Sequence, residues 1–178
     1  MNEIDDIRLI QLCKDGEKRA WYTLIEKYNP VVFNLAYRML NDRGDAEDVT
    51  QSVFAKIVER LDEFNPKYKF FSWMYRIALN ESLNYRRSKQ GREQVSDNLQ
   101  SVEKSPLESY EASEASESIQ QALLELSEEY RAVVILKHLQ GLSYEEIGNI
   151  LDLPEKTVKS RLFTARLRLR DILVRNTL

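Results

Sequence analysis

LSYEEIGNILDLPEKTVKSRLFTARLRLR, residues 142–170, is the most informative stretch of the chain. Ser143 followed by Glu146 forms a capping box, in which hydroxyl and carboxylate each satisfy a backbone amide left unpaired at a helix start. A short helix follows, with Ile147, Ile150 and Leu151 on one side. Asp152-Leu153-Pro154 is a tight connection, and Pro154 suits the first turn of the next helix. In that helix, Pro154 to about Leu173, the residues Val158, Leu162, Ala165, Leu169 and Ile172 recur at spacings of four and three and form one inward stripe. Two helices across a short turn, the second long and basic, are the signature of a helix-turn-helix. With Val158 inward, Lys156, Lys159, Ser160, Phe163 and Thr164 face outward. Lysine reaches guanine O6 and N7, Ser and Thr bond bases or phosphate, and Phe touches a thymine methyl. Arg161, Arg166, Arg168 and Arg170 fall on the flanks and suit phosphates.

N-terminal to this unit, Ile119 to about Leu139 reads as one helix with Ile119, Leu123, Leu126, Tyr130, Val133 and Val134 inward, ended by Gly141. Residues 90–118 are of different material. From Gly91 to Ser118 they are rich in Ser and Glu, with seven acids against two bases. So little apolar area cannot offset the entropy of ordering, and a flexible acidic linker is expected, with Ser109–Ser118 able to extend the next helix as a frayed turn. The chain thus divides into 1–89, 90–118 and 119–178.

Residues 1–89 read as a run of helices. Asp5 or Asp6 caps a short one ending near Gly16. Glu17–Asn29 carries Ala20, Trp21, Leu24, Ile25 and Tyr28 at helical spacing, and Val31–Leu40 continues after a kink or break at Pro30. NDRGD, residues 41–45, is a turn in which Asp45 can cap the next helix. That helix, Ala46 to about Asp62, sets Val49, Val53, Phe54, Ile57, Val58 and Leu61 on one face and Asp48, Gln51, Ser52, Ala55 and Asp62 on the other. Phe64–Lys69 is a loop punctuated by Asn-Pro. Phe70 to about Lys89 is a helix with Phe70, Trp73, Met74 and Ile77 along one stripe, continued by Asn80 and Asn84, while Tyr75 and Leu79 lie opposite. Two apolar sides mean either burial between two neighbours or a face that receives unpaired bases.

The bulk properties suit a helical protein of one or two domains. Of 178 residues 43% are hydrophobic and 31% charged, with only five Gly and four Pro. One cysteine, Cys13, permits no intrachain disulfide and reads as a small core residue. The acidic start, Met1–Asp6, is not a secretory signal, and the densest apolar run, around Val133–Leu136, is far short of the ~20 residues that cross a bilayer, so a cytoplasmic location is expected without membrane insertion. Net charge is −3, but it is segregated: −4 over 41–63, +6 over 67–92, −4 over 119–152 and +5 over 153–178. Blocks of alternating sign suit separate surfaces for different partners. His138 is the only histidine and reads as a helix-end residue. No phosphate loop, nucleophile set, metal-ligand cluster or small-molecule site is recognisable, so neither catalysis nor a cofactor is expected.

DAEDVTQSVFAKIVERLDEF (45–64), FFSWMYRIALNESLNYRR (70–87) and LSEEYRAVVILKHLQGLSYEEIGNILDLPEKTVKSRLFTARLRLR (126–170), in that order, resemble the extracytoplasmic-function sigma factors of the bacterial sigma-70 family. The resemblance implies an all-α fold of two small domains, a region 2 helical bundle and a region 4 helix-turn-helix, joined by the flexible linker. It implies a factor that binds core RNA polymerase and directs promoter-specific initiation. Asp45, Asp48, Gln51, Ser52 and Ala55 would meet the clamp of the largest polymerase subunit, with the flap as a second contact. Ser52 stands where relatives frequently carry an acid. Phe64, Lys67, Tyr68, Lys69, Phe70, Trp73, Ile77, Ala78, Asn80 and Asn84 would receive the melted −10 strand, with a pocket for a flipped base, and Arg76, Arg86 and Arg87 would join Lys67 and Lys69 on phosphates. Asn84 replaces a frequent Asp. Lys156, Thr157, Lys159, Ser160, Arg161, Phe163, Thr164 and Arg166 would read the −35 duplex. The linker would thread toward the RNA exit path, and an anti-sigma protein is an expected partner.

Overall fold

The computed structural model describes residues 3–95 and 114–177. Four helices form the amino-terminal half: α1 (Glu3–Lys14), α2 (Lys18–Leu40), α3 (Arg43–Arg60), extended by a 3-10 turn at Leu61–Glu63, and α4 (Phe70–Val95). The carboxy-terminal half holds α5 (Glu114–Glu125), α6 (Glu128–Val134), a π-helical turn at Ile135–Leu139, α7 (Tyr144–Leu151) and α8 (Glu155–Thr177).

In the first half α2, α3 and α4 pack around Leu24, Tyr28, Val32, Leu35, Met39, Val49, Val53, Ile57 and Met74, all removed from solvent. Burying side chains of this size supplies the main stabilisation, about 1.5–3 kcal/mol each against exposure. Cys13 joins this core as a free thiol, and burial pushes its pKa up to about 11. Asp6 is inside α1 rather than at its start. Its buried carboxylate accepts from the Tyr28 hydroxyl at 2.6 Å and from Lys27, which is how a charge survives there.

Several expectations shift in the structure. α2 runs through Pro30 without a break. Pro30 is exposed, so the acceptor it leaves unpaired can be hydrated. Asp42, not Asp45, caps α3: its carboxylate accepts from the Asp45 amide at 2.9 Å, because Asn41 in the left-handed conformation has already turned the chain. Val58 belongs to the outer face of α3 and is 54% exposed. The single helix expected over 119–139 is two, α5 and α6, broken at Leu126–Ser127. Ser127, extended at the break, is the N-cap of α6, and Arg131 secures the end of α5. Its guanidinium, fully buried, donates to the carbonyls of Leu123, Leu124 and Leu126 at 2.6–3.0 Å and so terminates α5 from the following helix. Ile119, expected inward, is 43% exposed, since the break reorients α5. Residues 90–95 extend α4 and residues 114–118 open α5, so both ends of the expected linker are helical; 96–113 lie outside the described residues.

The helix-turn-helix follows its sequence closely. Ser143 accepts from the Glu146 amide at 3.1 Å and Glu146 accepts from the Ser143 amide at 2.8 Å, closing the capping box. Asp152 adopts a left-handed conformation after α7. At Gly148 a Cβ would lie 2.7 Å from the Leu153 carbonyl oxygen, so only glycine lets the turn fold back this tightly. The two halves touch: α4 packs on α7, and α2 on α5 and α6.

Candidate nucleic-acid and polymerase surfaces

Three surfaces carry the residues singled out by sequence. On α3, Asp48, Gln51 and Ala55 are exposed along one face, which continues into Val58 and Glu59. Asp45 and Ser52 point elsewhere. The Asp45 carboxylate accepts from the Tyr85 hydroxyl at 2.9 Å and from Lys89 at 2.7 Å, and the Ser52 hydroxyl donates to Glu81 at 2.9 Å. Both tie α3 to α4. Glu81 is also paired with Lys56 at 2.5 Å, which keeps its carboxylate compensated in a half-buried setting.

The second surface is the 64–69 loop with α4. Phe64 and Phe70 are core residues: with Tyr28 and Trp73 they form an aromatic cluster with ring centroids 5.4–5.8 Å apart, edge-to-face at Tyr28–Phe70 and Phe64–Phe70 and tilted at Trp73. Ile77 and Ala78 are buried as well, so α4 is largely a helix packed between neighbours. Lys67 and Tyr68 are exposed at the loop, Tyr68 by 63%, and Asn80, Asn84 and Arg87 are exposed along α4. Three cations at exposed positions, Arg87 among them, also reach the other half. Lys69 is 3.1 Å from Glu146, Arg76 donates to the Asn149 carbonyl, and Arg87 is 3.4 Å from Glu128. Between them the buried Tyr75 hydroxyl donates to Gln140 at 2.6 Å, and desolvation pushes its pKa up. Arg86 is half-buried; its Nη1 meets no acceptor among the described residues, and its charge lies close enough to Arg131 to be felt there.

The third surface is α8. Val158, Leu162 and Ala165 are buried, which leaves Lys156, Lys159, Ser160, Phe163 and Arg166 exposed; Phe163 is 65% exposed. Thr157, Arg161 and Thr164 sit at the margins of that face. Lys159 is held at 2.6 Å by Glu155, whose hydrogen bond raises the lysine's pKa, and stands 5.3 Å from the ring centre of Tyr144. Lys137 lies against the same ring at 4.6 Å. Tyr144 thus braces two cations, a role hidden in the sequence, where it is simply the first residue after the cap. The Ser160 hydroxyl donates to the Thr157 carbonyl and that of Thr164 to the Ser160 carbonyl, so each keeps its acceptor lone pairs free. Arg161 pairs with Glu129 at 3.2 Å, and Arg166 donates to His138 Nε2 at 3.1 Å. Arg168 stacks over Tyr130 at 4.5 Å. Among the described residues no group of His, Cys, Asp and Glu is arranged to hold a metal ion, and no helix is long and apolar enough to cross a membrane.

Known proteins share this arrangement. The family model for sigma-70 region 2 matches residues 24–92, and that for sigma-70, region 4, matches residues 116–169. The chain is 34% identical to the ECF RNA polymerase sigma factor SigW of Bacillus subtilis, covering 90% of this chain and 92% of that protein. It is also 34% identical to the ECF RNA polymerase sigma-E factor of Escherichia coli K12, again covering 92% of each. Among solved structures, CnrH in complex with the cytosolic domain of CnrY superposes with a TM-score of 0.71 at 25% identity, covering 93% of this chain and 94% of that one. The sigma factor RpoE of Bartonella quintana, in complex with the anti-sigma factor NepR, superposes at 0.69 with 29% identity, covering 85% and 95%. The chain belongs to the extracytoplasmic-function sigma factors of the sigma-70 family, the proteins that direct RNA polymerase to promoters.

Proposed function

We propose that this sigma factor divides its work among the three surfaces. The outer face of α3, Asp48, Gln51 and Ala55, extended by Val58, docks on the polymerase clamp. The 64–69 loop and the exposed side of α4, through Lys67, Tyr68, Lys69, Arg76, Asn80, Asn84, Arg86 and Arg87, hold the melted −10 strand. The outward face of α8 enters the major groove of the −35 element, with Lys159, Ser160, Phe163 and Thr164 at base edges and Arg161 and Arg166 on phosphates. One observation carries this reading: Phe163, a large aromatic, stands in solvent amid Lys156, Lys159 and Ser160 on the second helix of a helix-turn-helix. An aromatic exposed there is costly for a free surface and useful in a groove lined by thymine methyls.

The buried Phe64, Phe70, Ile77 and Ala78 frame the strand-binding loop from beneath rather than touching a base. Asp45 and Ser52 serve by fixing α3 against α4. The chain supplies no catalysis; polymerase does the chemistry, in the cytoplasm. The solved relatives CnrH and RpoE are held by CnrY and NepR, and an anti-sigma partner of that kind is proposed here too.

The test mixes purified chain, core polymerase and promoter fragments. Promoter-specific transcripts that require both proteins support the proposal. Sequence-specific duplex binding without any need for polymerase points instead to a free-standing helix-turn-helix regulator. An Asp48→Arg variant, exposed and so neutral for folding to within about 0.5 kcal/mol, loses association with core polymerase; retained association removes α3 from the docking surface.

A further inference from the structure

Residues 153–178 carry a charge of +5, yet a carboxylate stands on the face that α8 turns outward. Glu155 opens that helix, and Glu155, Lys159 and Phe163, all exposed, recur at steps of four along one ridge. The Glu155 carboxylate lies 2.6 Å from the Lys159 ammonium. Tyr144, at the start of α7, stands 5.3 Å from the same ammonium, measured to its ring centre. The lysine is thus held from two sides, by an anion on its own helix and by an aromatic ring on the neighbouring one. An exposed ion pair one helical turn apart contributes little to stability, and a carboxylate facing a polyanion weakens attraction to it. A base edge gives such a group a use. In the major groove cytosine presents its N4 amino group as a donor, and its guanine partner presents O6 and N7 as acceptors. Guanine O6 and cytosine N4 are themselves hydrogen-bonded, about 2.9 Å apart. That spacing is close to the one between the Lys159 and Glu155 head groups. We infer that Glu155 is a specificity-determining residue: it accepts from cytosine N4 while Lys159 donates to guanine O6 and N7 of the same base pair, so the two side chains together fix which strand carries the guanine.

Lysine alone reads orientation weakly. Its ammonium is a point charge on a flexible stem, and it can follow a guanine from one strand to the other across the groove. Glu155 removes that freedom. In the reversed pair the carboxylate would face guanine O6, an acceptor with no proton to give, and the ammonium would face an amino group. Both contacts are repulsive, which is how a site rejects a wrong partner as well as attracting the right one. In an A·T pair with thymine beneath Lys159, adenine N6 still satisfies Glu155. The lysine then finds a single acceptor, O4, beside a methyl group, in place of two. The expected order is therefore G·C first, this A·T pair second and the reversed pairs last. Tyr144 adds to the effect by narrowing the positions that the Lys159 ammonium takes before DNA arrives.

This inference rests on the assignment of α8 to duplex DNA, and the experiment keeps the two apart. Full-length wild type, Glu155→Ala and Lys159→Ala are each assembled with core polymerase and used to select from a pool of random-sequence duplexes, and the bound fraction is sequenced. Both residues are exposed, so neither change is expected to disturb the fold, and thermal melting checks that. The selected duplex and the same duplex with the guanine–cytosine pair reversed are then compared by competition. Wild type is expected to enrich guanine on one strand at one position, and Lys159→Ala to lose that position. Glu155→Ala is expected to keep guanine there but on either strand, its preference over the reversed pair falling about tenfold. Full strand preference in Glu155→Ala overturns the inference and leaves Lys159 reading alone. An even loss at every position also overturns it, by making Glu155 a structural residue of α8. Enrichment of any other pair at the position lost in Lys159→Ala overturns the cytosine contact. If Lys159→Ala alters no position, the assignment of α8 itself falls, and the inference with it.

Discussion

Two stretches of nearly equal charge, +6 over residues 67–92 and +5 over 153–178, end in opposite situations. α4 is packed against α2, α3 and α7, and its cations Lys69, Arg76 and Arg87 are engaged by the other half of the molecule. α8 buries one stripe and displays Lys156, Lys159, Ser160 and Phe163 to water. Charge density alone therefore says little about availability. What separates the helices is the width of the apolar surface. A single stripe leaves α8 a free face, whereas Phe70, Met74, Tyr75, Ile77, Ala78 and Leu79 surround α4 almost completely.

The contrast can be broken most forcefully at Arg131. Arg131→Met leaves four carbonyl acceptors without their donor, and urea unfolding should show a loss of about 3 kcal/mol. Burial, with Arg86 nearby, brings the Arg131 pKa down to about 10, so it remains a cation at neutral pH and the loss is of a charged donor. A change below about 1 kcal/mol would mean that the covered and open faces owe nothing to this guanidinium.

Gly148→Ala tests the open face from beneath. Its methyl meets the Leu153 carbonyl, part of the backbone that sets α8 against α7, so a loss of about 2 kcal/mol in thermal or urea unfolding is expected. An unchanged midpoint would show that the turn can give.

Lys159→Ala sharpens the comparison functionally. Stability stays within about 0.5 kcal/mol, while discrimination between promoter and unrelated duplex by the polymerase-bound factor falls about tenfold. Equal weakening on all sequences would reduce Lys159 to a phosphate contact.

The smallest effect concerns His138. Burial, helped by the charges of Arg166 and Lys137, holds its pKa below the usual 6.5. A histidine with a depressed pKa in the folded state stabilises the fold above its ordinary value, and that contribution is lost as pH falls through 6.5 toward the folded value. The drop in melting temperature between about pH 7.5 and about 5.5 should be slightly shallower in His138→Gln. Identical slopes would show that Arg166 docks on a ring whose protonation does not matter.

The helix-turn-helix was readable almost residue by residue, because its determinants are local: a capping box of four residues, a turn marked by Pro154, a stripe at helical spacing. α4 was readable as an element but not as a surface. The sequence offered two explanations for its double apolar character, and burial of Phe70, Ile77 and Ala78 answers for packing, a property set by residues distant along the chain such as Tyr28, whose ring meets Phe70. Asp45 and Ser52 were invisible as α3–α4 ties for the same reason, since Tyr85, Lys89 and Glu81 lie 40, 44 and 29 residues beyond them. The break between α5 and α6 carried no glycine or proline to announce it. Its one local sign is Ser127 followed by two acids, a helix start inside an apolar run, and the buried Arg131 that secures it gives no notice in the sequence.

The lone thiol has a practical corollary. Cys13 is shut inside the amino-terminal bundle and protonated at neutral pH, so an alkylating reagent can reach it only when α1 lifts away from α2. The rate of labelling by such a reagent is a built-in clock for that opening, available without introducing a probe.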